Sequence, residues 1–360
     1  MMARTLVMGR ATPAGTRRFG KRHADRLPDG FYRELDGLTV GALGLGTYLG
    51  APDDADDERY VQTAALALAR GVNVLDTAIN YRCQRSERAV GAALALALER
   101  RTVSRDELLV CTKGGYVPLD GAPPGTREAY QDYLEREFFE RGLMSPEDVV
   151  GGGHCLAPRF LTEQVGRSRR NLGVETLDVY YLHNPEQQLD AISRERFLGR
   201  IREAFVLLED RVKRGHIARY GIATWDGLRA SPGARHHLSL SELATLAREV
   251  GGDEHHFRVV QLPVNLALTD AVRLANQRRD DGRTVPLLHA AADLGLSVVA
   301  SASLMQAQLT RDLPAAVVDA FPNARSDAQR ALSFLRALPV AVGLAGMRSA
   351  AHLEENLGAG

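Results

Sequence analysis

Cysteine is scarce in this chain of 360 residues: there are three, Cys83, Cys111 and Cys155. An odd, sparse set argues against a disulfide framework and fits a reducing compartment, so a cytoplasmic protein is expected. An excess of one charge is lacking too. Lys+Arg and Asp+Glu each number 45, for a formal net charge of zero. The basic excess expected of a nucleic-acid partner is therefore missing. No run approaches the roughly 18 consecutive apolar residues of a membrane helix, so no membrane partner is expected. Metal-ligand spacing is missing as well. Gly153-His154-Cys155 offers one His and one Cys without partners, which reads as a loop near the mouth of the fold rather than a metal site. The pairs His236-His237 and His255-His256 lie in polar stretches and read as solvated surface.

What is present is 45% hydrophobic residues, ample for a large core, arranged as short β-like runs alternating with longer helical ones. The β-like runs are Thr39–Gly46, Asn73–Asp76, Leu108–Thr112, Leu177–Leu182, Ala218–Ala223, Arg258–Leu262, Leu296–Ala300 and Val340–Ala345. Helical spacing follows near residues 57–70, 86–100, 161–172, 193–214, 241–250, 285–294, 327–338 and 350–357. Eight strand–helix pairs imply parallel crossovers closing into a (β/α)8 barrel. A doubly wound open sheet is the competitor, but Gly41-Ala-Leu-Gly-Leu-Gly46 lacks its G-x-G-x-x-G spacing. These glycines read instead as points of close backbone approach to a ligand or a neighbouring strand.

The domain reading is an N-terminal extension over 1–37, a single barrel over 38–360, and an insertion of about 116–160 after the third strand. The basic stretch Arg4–Arg22, which in isolation resembles a targeting segment, reads as a mobile or lightly packed lead-in ahead of the barrel. The insertion carries Tyr116, Tyr130, Tyr133, Phe138 and Phe139, with helical character near Thr126–Glu140. It is either a lid or pocket wall, or a surface segment whose aromatics pack back on the barrel.

Catalytic residues of such barrels sit at the C-terminal ends of the strands. Asp76 ends the second strand, Tyr81 lies in the loop after it, Lys113 ends the third and His183 the fourth. Singly, a polar residue at a strand end most often caps or is solvated. Together these four have compatible chemistry. A free phenol with a pKa near ~10 is a poor acid at neutral pH. An ammonium from Lys113 favours the phenolate and lowers that pKa, and Asp76 keeps the lysine charged. His183 can orient and polarise a substrate carbonyl, and Tyr81 can protonate its oxygen. Cys111 reads as a small core side chain next to this group.

Asp76-Thr-Ala-Ile-Asn-Tyr81 resembles the D-x-A-x-x-Y signature of the aldo-keto reductases, and Lys113 and His183 fall where that family has its other catalytic residues. The resemblance spans roughly residues 35–357. It implies hydride transfer from NADPH, less often NADH, to an aldehyde or ketone, with a small-molecule carbonyl compound as the partner. It also implies cofactor-binding roles. Gly46 and Thr47 are similar to the pair beside the nicotinamide, and Gln261 to the glutamine that holds its carboxamide. Gly346, Arg348, Glu355 and Asn356 look like the segment that grips the adenosine half, with Arg348 facing a 2′-phosphate. Tyr48, Tyr116 and Trp225 are the expected substrate walls.

The chain departs from the family pattern at several points. Gly221-Ile-Ala-Thr224 stands where Gly-x-Ser-Asn is usual, which leaves Thr224 as the hydroxyl for the carboxamide. Ser301, in Ala300-Ser-Ala-Ser303, supplies no ring to stack on the nicotinamide. His352 replaces an arginine seen in some members. Two other readings stay open: an NAD(P)H-binding redox-sensing or interaction subunit with little turnover, and a cofactor-free barrel with Lys113 as a Schiff-base amine. Adjacent Asp76 argues against the last. The natural substrate and the oligomeric state are not legible in the residues.

Overall fold

The computed structural model describes residues 5–279 and 281–359. After a helix at Pro13–His23, the strands β1 (Tyr32–Leu35) and β2 (Leu38–Gly41) form an antiparallel hairpin. The parallel strands follow in order: β3 (Leu43–Gly46), β4 (Val74–Asp76), β5 (Leu109–Gly114), β6 (Leu177–His183), β7 (Ile217–Ala223) and β8 (Phe257–Pro263). A second hairpin, β9 (Ala275–Arg278) with β10 (Thr284–Pro286), precedes the last two parallel strands, β11 (Ser297–Ser301) and β12 (Val342–Gly346). β12 pairs with β3, so the eight parallel strands close into a barrel.

Each barrel strand is followed by a helix: Asp54–Ala69, Arg85–Glu99, Pro158–Leu172, Arg194–Lys213, Leu240–Gly251, Leu287–Asp293, Asp327–Arg336 and Ala350–Leu357. Several start at residues suited to the task. The side chains of Asp53, Ser193, Ser239, Ser326 and Ser349 each accept the backbone N–H three residues on. Such caps satisfy one of the donors orphaned at a helix start. Close strand packing explains two glycines. A Cβ on Gly44 would lie 2.8 Å from Leu344 Cδ2, and one on Gly221 would lie 1.9 Å from the carbonyl oxygen of Val259. The latter sits where the β7–β8 register shifts.

The first run differs from the sequence reading. Thr39–Gly46 is two strands broken at Ala42: its first half turns back on β1, and only Leu43–Gly46 enters the barrel. The boundary expected at residue 37 therefore falls inside a hairpin turn. Nor is the lead-in lightly packed over its described part, from Thr5 onward. Phe19 is fully buried in the helix Pro13–His23. Ala11, Leu35, Leu38 and Val40 join Val74, Leu109, Val179, Val259 and Val342 in one cluster that fills the barrel and plugs it. The buried carboxylate of Asp178 fastens this plug. It accepts Ala11 N–H at 2.6 Å, Val110 N–H at 2.8 Å and the Arg105 guanidinium at 2.7 Å. Alternation hid the break, because a period of two continues through a hairpin as well as through one long strand.

Two other expectations are corrected. Val285 and Pro286 belong to β10, and the helix begins at Leu287. His237 and His255 are buried rather than solvated, with His237 Nε2 bonded at 2.9 Å to the carbonyl of Asn276. The insertion packs largely on itself. Leu134, Phe138, Met144, Cys155 and Phe160 make a small core of their own, with Tyr130, Tyr133 and Phe139 packed against it, while Tyr116 reaches the barrel mouth.

Candidate active site

At the C-terminal end of the barrel lies a cavity of about 710 Å³, within the usual range for ligand sites. Asp76, the last residue of β4, and Lys113 in β5 are both buried, and the Lys113 ammonium donates to Asp76 Oδ1 and, at 2.9 Å, to the carbonyl of Thr77. The other oxygen of Asp76 accepts Gln261 Nε2 at 2.9 Å. Tyr81 follows β4 in a tight loop whose next residues, Arg82, Cys83 and Gln84, all have positive φ. Its ring faces Lys113, with Nζ 4.9 Å from the ring centroid. Against the same ring lie Tyr48, with centroids 5.1 Å apart, and His183, with centroids 5.7 Å apart.

The loop that carries Tyr81 is clamped by Arg82, whose guanidinium donates to the carbonyl of Ala51 at 2.7 Å and to the carboxylate of Asp57 at 2.5 Å. Thr47 donates to the carbonyl of Asp76 at 3.2 Å, and Ser86 to the carbonyl of Thr47 at 2.8 Å. The short β4 is thus braced on both sides at the point where its carboxylate must be held.

Burial raises the Tyr81 pKa above the ordinary value, and Lys113 opposes it only in part. The expected lowering by the ammonium is present but does not win, because removing a phenolate from water costs more than one nearby charge returns. Burial likewise works against the Lys113 ammonium, but Asp76 and then Tyr81 outweigh it and leave its pKa raised. A lysine held charged in this way is a poor Schiff-base nucleophile. Burial first, then Lys113 and His154, push His183 well below the usual histidine range, so its imidazole is neutral. Its Nδ1 is buried without a partner among the described residues.

The remaining candidates also line this cavity. Gly46, Thr47, Gln261 and Ser301 stand along one side of it. Gly346, Arg348, Glu355 and Asn356 stand at the end formed by β12 and the last helix. Tyr48, Tyr116 and Trp225 surround the opening, with Tyr48 59% and Trp225 45% exposed. One expectation changes. The Thr224 hydroxyl is committed, donating to Glu186 at 2.5 Å and accepting Gly227 N–H at 2.8 Å, so it is not free for a carboxamide. Arg348 is also engaged, 3.2 Å from both oxygens of Asp56.

Four polar residues at the site were given no role by the sequence reading. Asn80 and Asn184 line the cavity, each immediately beside a residue already singled out. Asn184 Nδ2 donates to the Tyr116 hydroxyl at 2.9 Å, while burial pushes that phenol up to about 12. His154, in the insertion, is buried. Gln188 Nε2 donates to its Nδ1 at 2.8 Å, which leaves the proton on Nε2 for the carbonyl of His183, also at 2.8 Å. The fourth, Glu186, is buried two residues beyond Asn184. Proximity to Tyr81 and His183 was the only sequence signal for the two asparagines. His154 was read only as part of a loop near the mouth, and its bond to the His183 carbonyl, 29 residues away, left no local signal.

Comparisons with known proteins agree with this architecture. The profile of the aldo/keto reductase family matches residues 42–235, more than half of the chain. The chain belongs to the aldo/keto reductase family. Among curated relatives, an Escherichia coli protein described as an NADH-specific methylglyoxal reductase is 26% identical over 195 residues, 52% of this chain and 50% of that one. A D-threo-aldose 1-dehydrogenase from a Pseudomonas species is 30% identical over 162 residues, 42% of this chain and 41% of that one. These matches span half or less of the relatives' own length. Among solved structures, an aldo/keto reductase from Klebsiella pneumoniae in complex with NADP and acetate superposes with a TM-score of 0.57 at 20% identity, covering 90% of this chain and 87% of that one. A thermostable aldo-keto reductase bound to the inhibitor epalrestat gives 0.61 at 19% identity, covering 91% and 93%. At such identities these likenesses speak for the fold. Among the described residues, no helix is long and apolar enough to cross a membrane.

Proposed function

We propose that the chain is an NAD(P)H-dependent carbonyl reductase that converts an aldehyde or ketone to an alcohol, with Tyr81 as proton donor. The observation that carries this reading is the convergence of the Tyr81 phenol, the Asp76 carboxylate and the His183 imidazole at one wall of one cavity, with the Lys113 ammonium against Asp76 and the Tyr81 ring.

The cavity fits a dinucleotide. Its walls run from Tyr81 and His183 past Gly46, Gln261 and Ser301 to Gly346, Arg348, Glu355 and Asn356. Gln261, with one amide hydrogen already on Asp76, keeps a carbonyl and a second hydrogen for a carboxamide. Arg348 offers a fork of donors to a phosphate, which favours NADPH. Its standing pair with Asp56 leaves NADH admissible. The Klebsiella relative's description names NADP and the Escherichia coli relative's names NADH, in keeping with either cofactor. When bound, the nicotinamide supplies the hydride that reaches the carbonyl carbon.

The chain's own residues handle the proton. The raised pKa of Tyr81 keeps its hydroxyl protonated at rest. As the carbonyl oxygen gains charge, the phenol O–H bond breaks and a new O–H bond forms on the substrate. The phenolate left behind is stabilised by Lys113, which Asp76 and the Thr77 carbonyl hold in place. His183, neutral and without a carboxylate partner, orients the carbonyl by a hydrogen bond without competing for the proton. Tyr48, Tyr116 and Trp225 form an aromatic opening suited to an apolar or ring-bearing carbonyl compound.

The test is Tyr81→Phe assayed with NADPH and a generic aldehyde, beside a fluorescence titration of cofactor binding. A loss of about 100-fold or more in kcat with unchanged cofactor affinity is expected. Survival of turnover within about tenfold removes the proton-donor role. A second reading, a cofactor-binding redox sensor with little turnover, draws on the wall at Ser301, Ala302, Ser303 and Leu304, which offers no ring to stack on a nicotinamide. Tight binding with no reduction across a carbonyl panel supports that reading, and turnover of any panel member disposes of it.

A further inference from the structure

Glu186 is a buried carboxylate that the proposed chemistry does not use. It stands in the turn Pro185–Asp190, just past His183 and Asn184, and is 4% exposed. Among the described residues no cation pairs with it. One oxygen, Oε1, instead collects four donors from the neighbouring strand end: the Thr224 hydroxyl at 2.5 Å and the backbone N–H groups of Trp225 at 3.1 Å, Asp226 at 3.2 Å and Gly227 at 3.3 Å. Its Oε2 is buried with no partner among the described residues. Four donors on one carboxylate oxygen are a cradle for a turn. Burial raises the Glu186 pKa while these donors pull it back toward the charged form, and three successive N–H groups aimed at one acceptor leave the backbone of residues 224–227 little freedom.

The turn so held carries Trp225. The N–H of this residue is bonded to Glu186, and its carbonyl accepts Arg229 Nε at 3.1 Å, so its peptide is fixed on both sides. The turn has no slack beneath it, since a Cβ on Gly227 would lie 2.7 Å from Leu238. The indole is 45% exposed and lines the cavity opening. Glu186 therefore connects two walls of the mouth. It sits on the segment that follows His183 and grips the segment that aims Trp225, on strands β6 and β7, whose ends pair directly at His183 and Ala223.

We infer that Glu186 is a positioning residue that sets the place of the Trp225 indole at the mouth and thereby favours ring-bearing over short carbonyl substrates. The selectivity part rests on the reading of this cavity as a carbonyl site; the hold on Trp225 does not. Trp225 is the only tryptophan of the chain, so its fluorescence reports on this turn alone.

The experiment compares the intact protein with Glu186→Ala and Glu186→Gln. In the cofactor-free proteins, acrylamide quenching and emission wavelength of Trp225 are recorded together with thermal unfolding. Then KM and kcat are measured for benzaldehyde and propionaldehyde with NADPH. Removal of the cradle is expected to raise the quenching constant about twofold, shift the emission, and raise the benzaldehyde KM about fivefold relative to that of propionaldehyde, with a smaller change in kcat. The glutamine variant, which keeps one carbonyl acceptor, falls between. Unchanged quenching and emission in a folded variant overturn the hold on Trp225. An equal rise of KM for both aldehydes overturns the selectivity. Should the alanine variant fail to fold, the glutamine variant carries the same comparison. If the unmodified protein reduces neither aldehyde, the carbonyl-site reading and the selectivity built on it fall, while the fluorescence still decides whether Glu186 holds Trp225.

Discussion

The Lys113 ammonium lies 4.9 Å from the centroid of the Tyr81 ring, on a lysine that is 1% exposed. A buried cation facing a buried phenol has a chemical consequence. In the proposed reaction the phenol resists ionisation until it gives its proton away, and the charge it then carries finds a partner already in place. Lys113→Met is therefore expected to lower kcat about 100-fold or more while leaving NADPH affinity within about threefold, measured by steady-state kinetics and fluorescence titration. Equal loss of binding and turnover in a folded variant contradicts this division.

The pair between Lys113 and Asp76 also has a stability consequence. Removing one partner of a buried ion pair leaves an uncompensated charge, at a cost of about 3–5 kcal/mol. Asp76→Ala is expected to lose that much in urea unfolding. A loss below about 1 kcal/mol places the pair in solvent-like surroundings and contradicts its burial.

In the proposed cofactor site Arg348 is the residue for a 2′-phosphate, and in the structure it pairs with Asp56. Arg348→Ala is expected to raise the NADPH Kd about tenfold and the NADH Kd less than twofold, since a charge-assisted contact is lost from only one of the two cofactors. Parallel fluorescence titrations check it. Equal weakening of both cofactors removes Arg348 from phosphate recognition.

His154 makes stability depend on pH. Burial holds it down to about 4, while the unfolded chain has an ordinary histidine pKa. Between these values the unfolded state binds a proton that the folded state lacks. Folding stability therefore falls as pH drops from roughly 6.5 toward 4 and levels off below. His154→Gln removes this one contribution and leaves the other buried histidines common to both proteins. From pH 7.5 to 5.0 the unmodified protein is expected to lose about 2 kcal/mol more than the variant in urea unfolding. Equal losses show that His154 titrates normally.

Phe19 lies in the N-terminal helix, in contact with the rings of His23 and Tyr32 at centroid distances of 4.6 and 6.4 Å. Phe19→Ala is expected to destabilise the protein by about 3–5 kcal/mol in urea. A cost below about 1 kcal/mol shows instead that residues 13–41 detach from the barrel without consequence.

Much was legible in the residues themselves. Eight alternations of strand-like and helix-like pattern are a local property of the chain, and they imply a closed barrel because parallel strands need helical crossovers. Asp76, Tyr81, Lys113 and His183 were legible for the same reason: each sits at or just beyond a strand end, and the barrel rule carries all such ends to one mouth. Only the tertiary structure decided the rest. It turned the first half of Thr39–Gly46 into a plug beneath the barrel and gave the Thr224 hydroxyl to Glu186. It also brought His154 to His183 across 29 residues and set burial above the lysine charge in fixing the Tyr81 pKa. A periodic pattern records which face of an element is buried. A hydrogen-bond partner or a desolvation cost depends on which distant atoms come to lie against that face, and no local pattern encodes them.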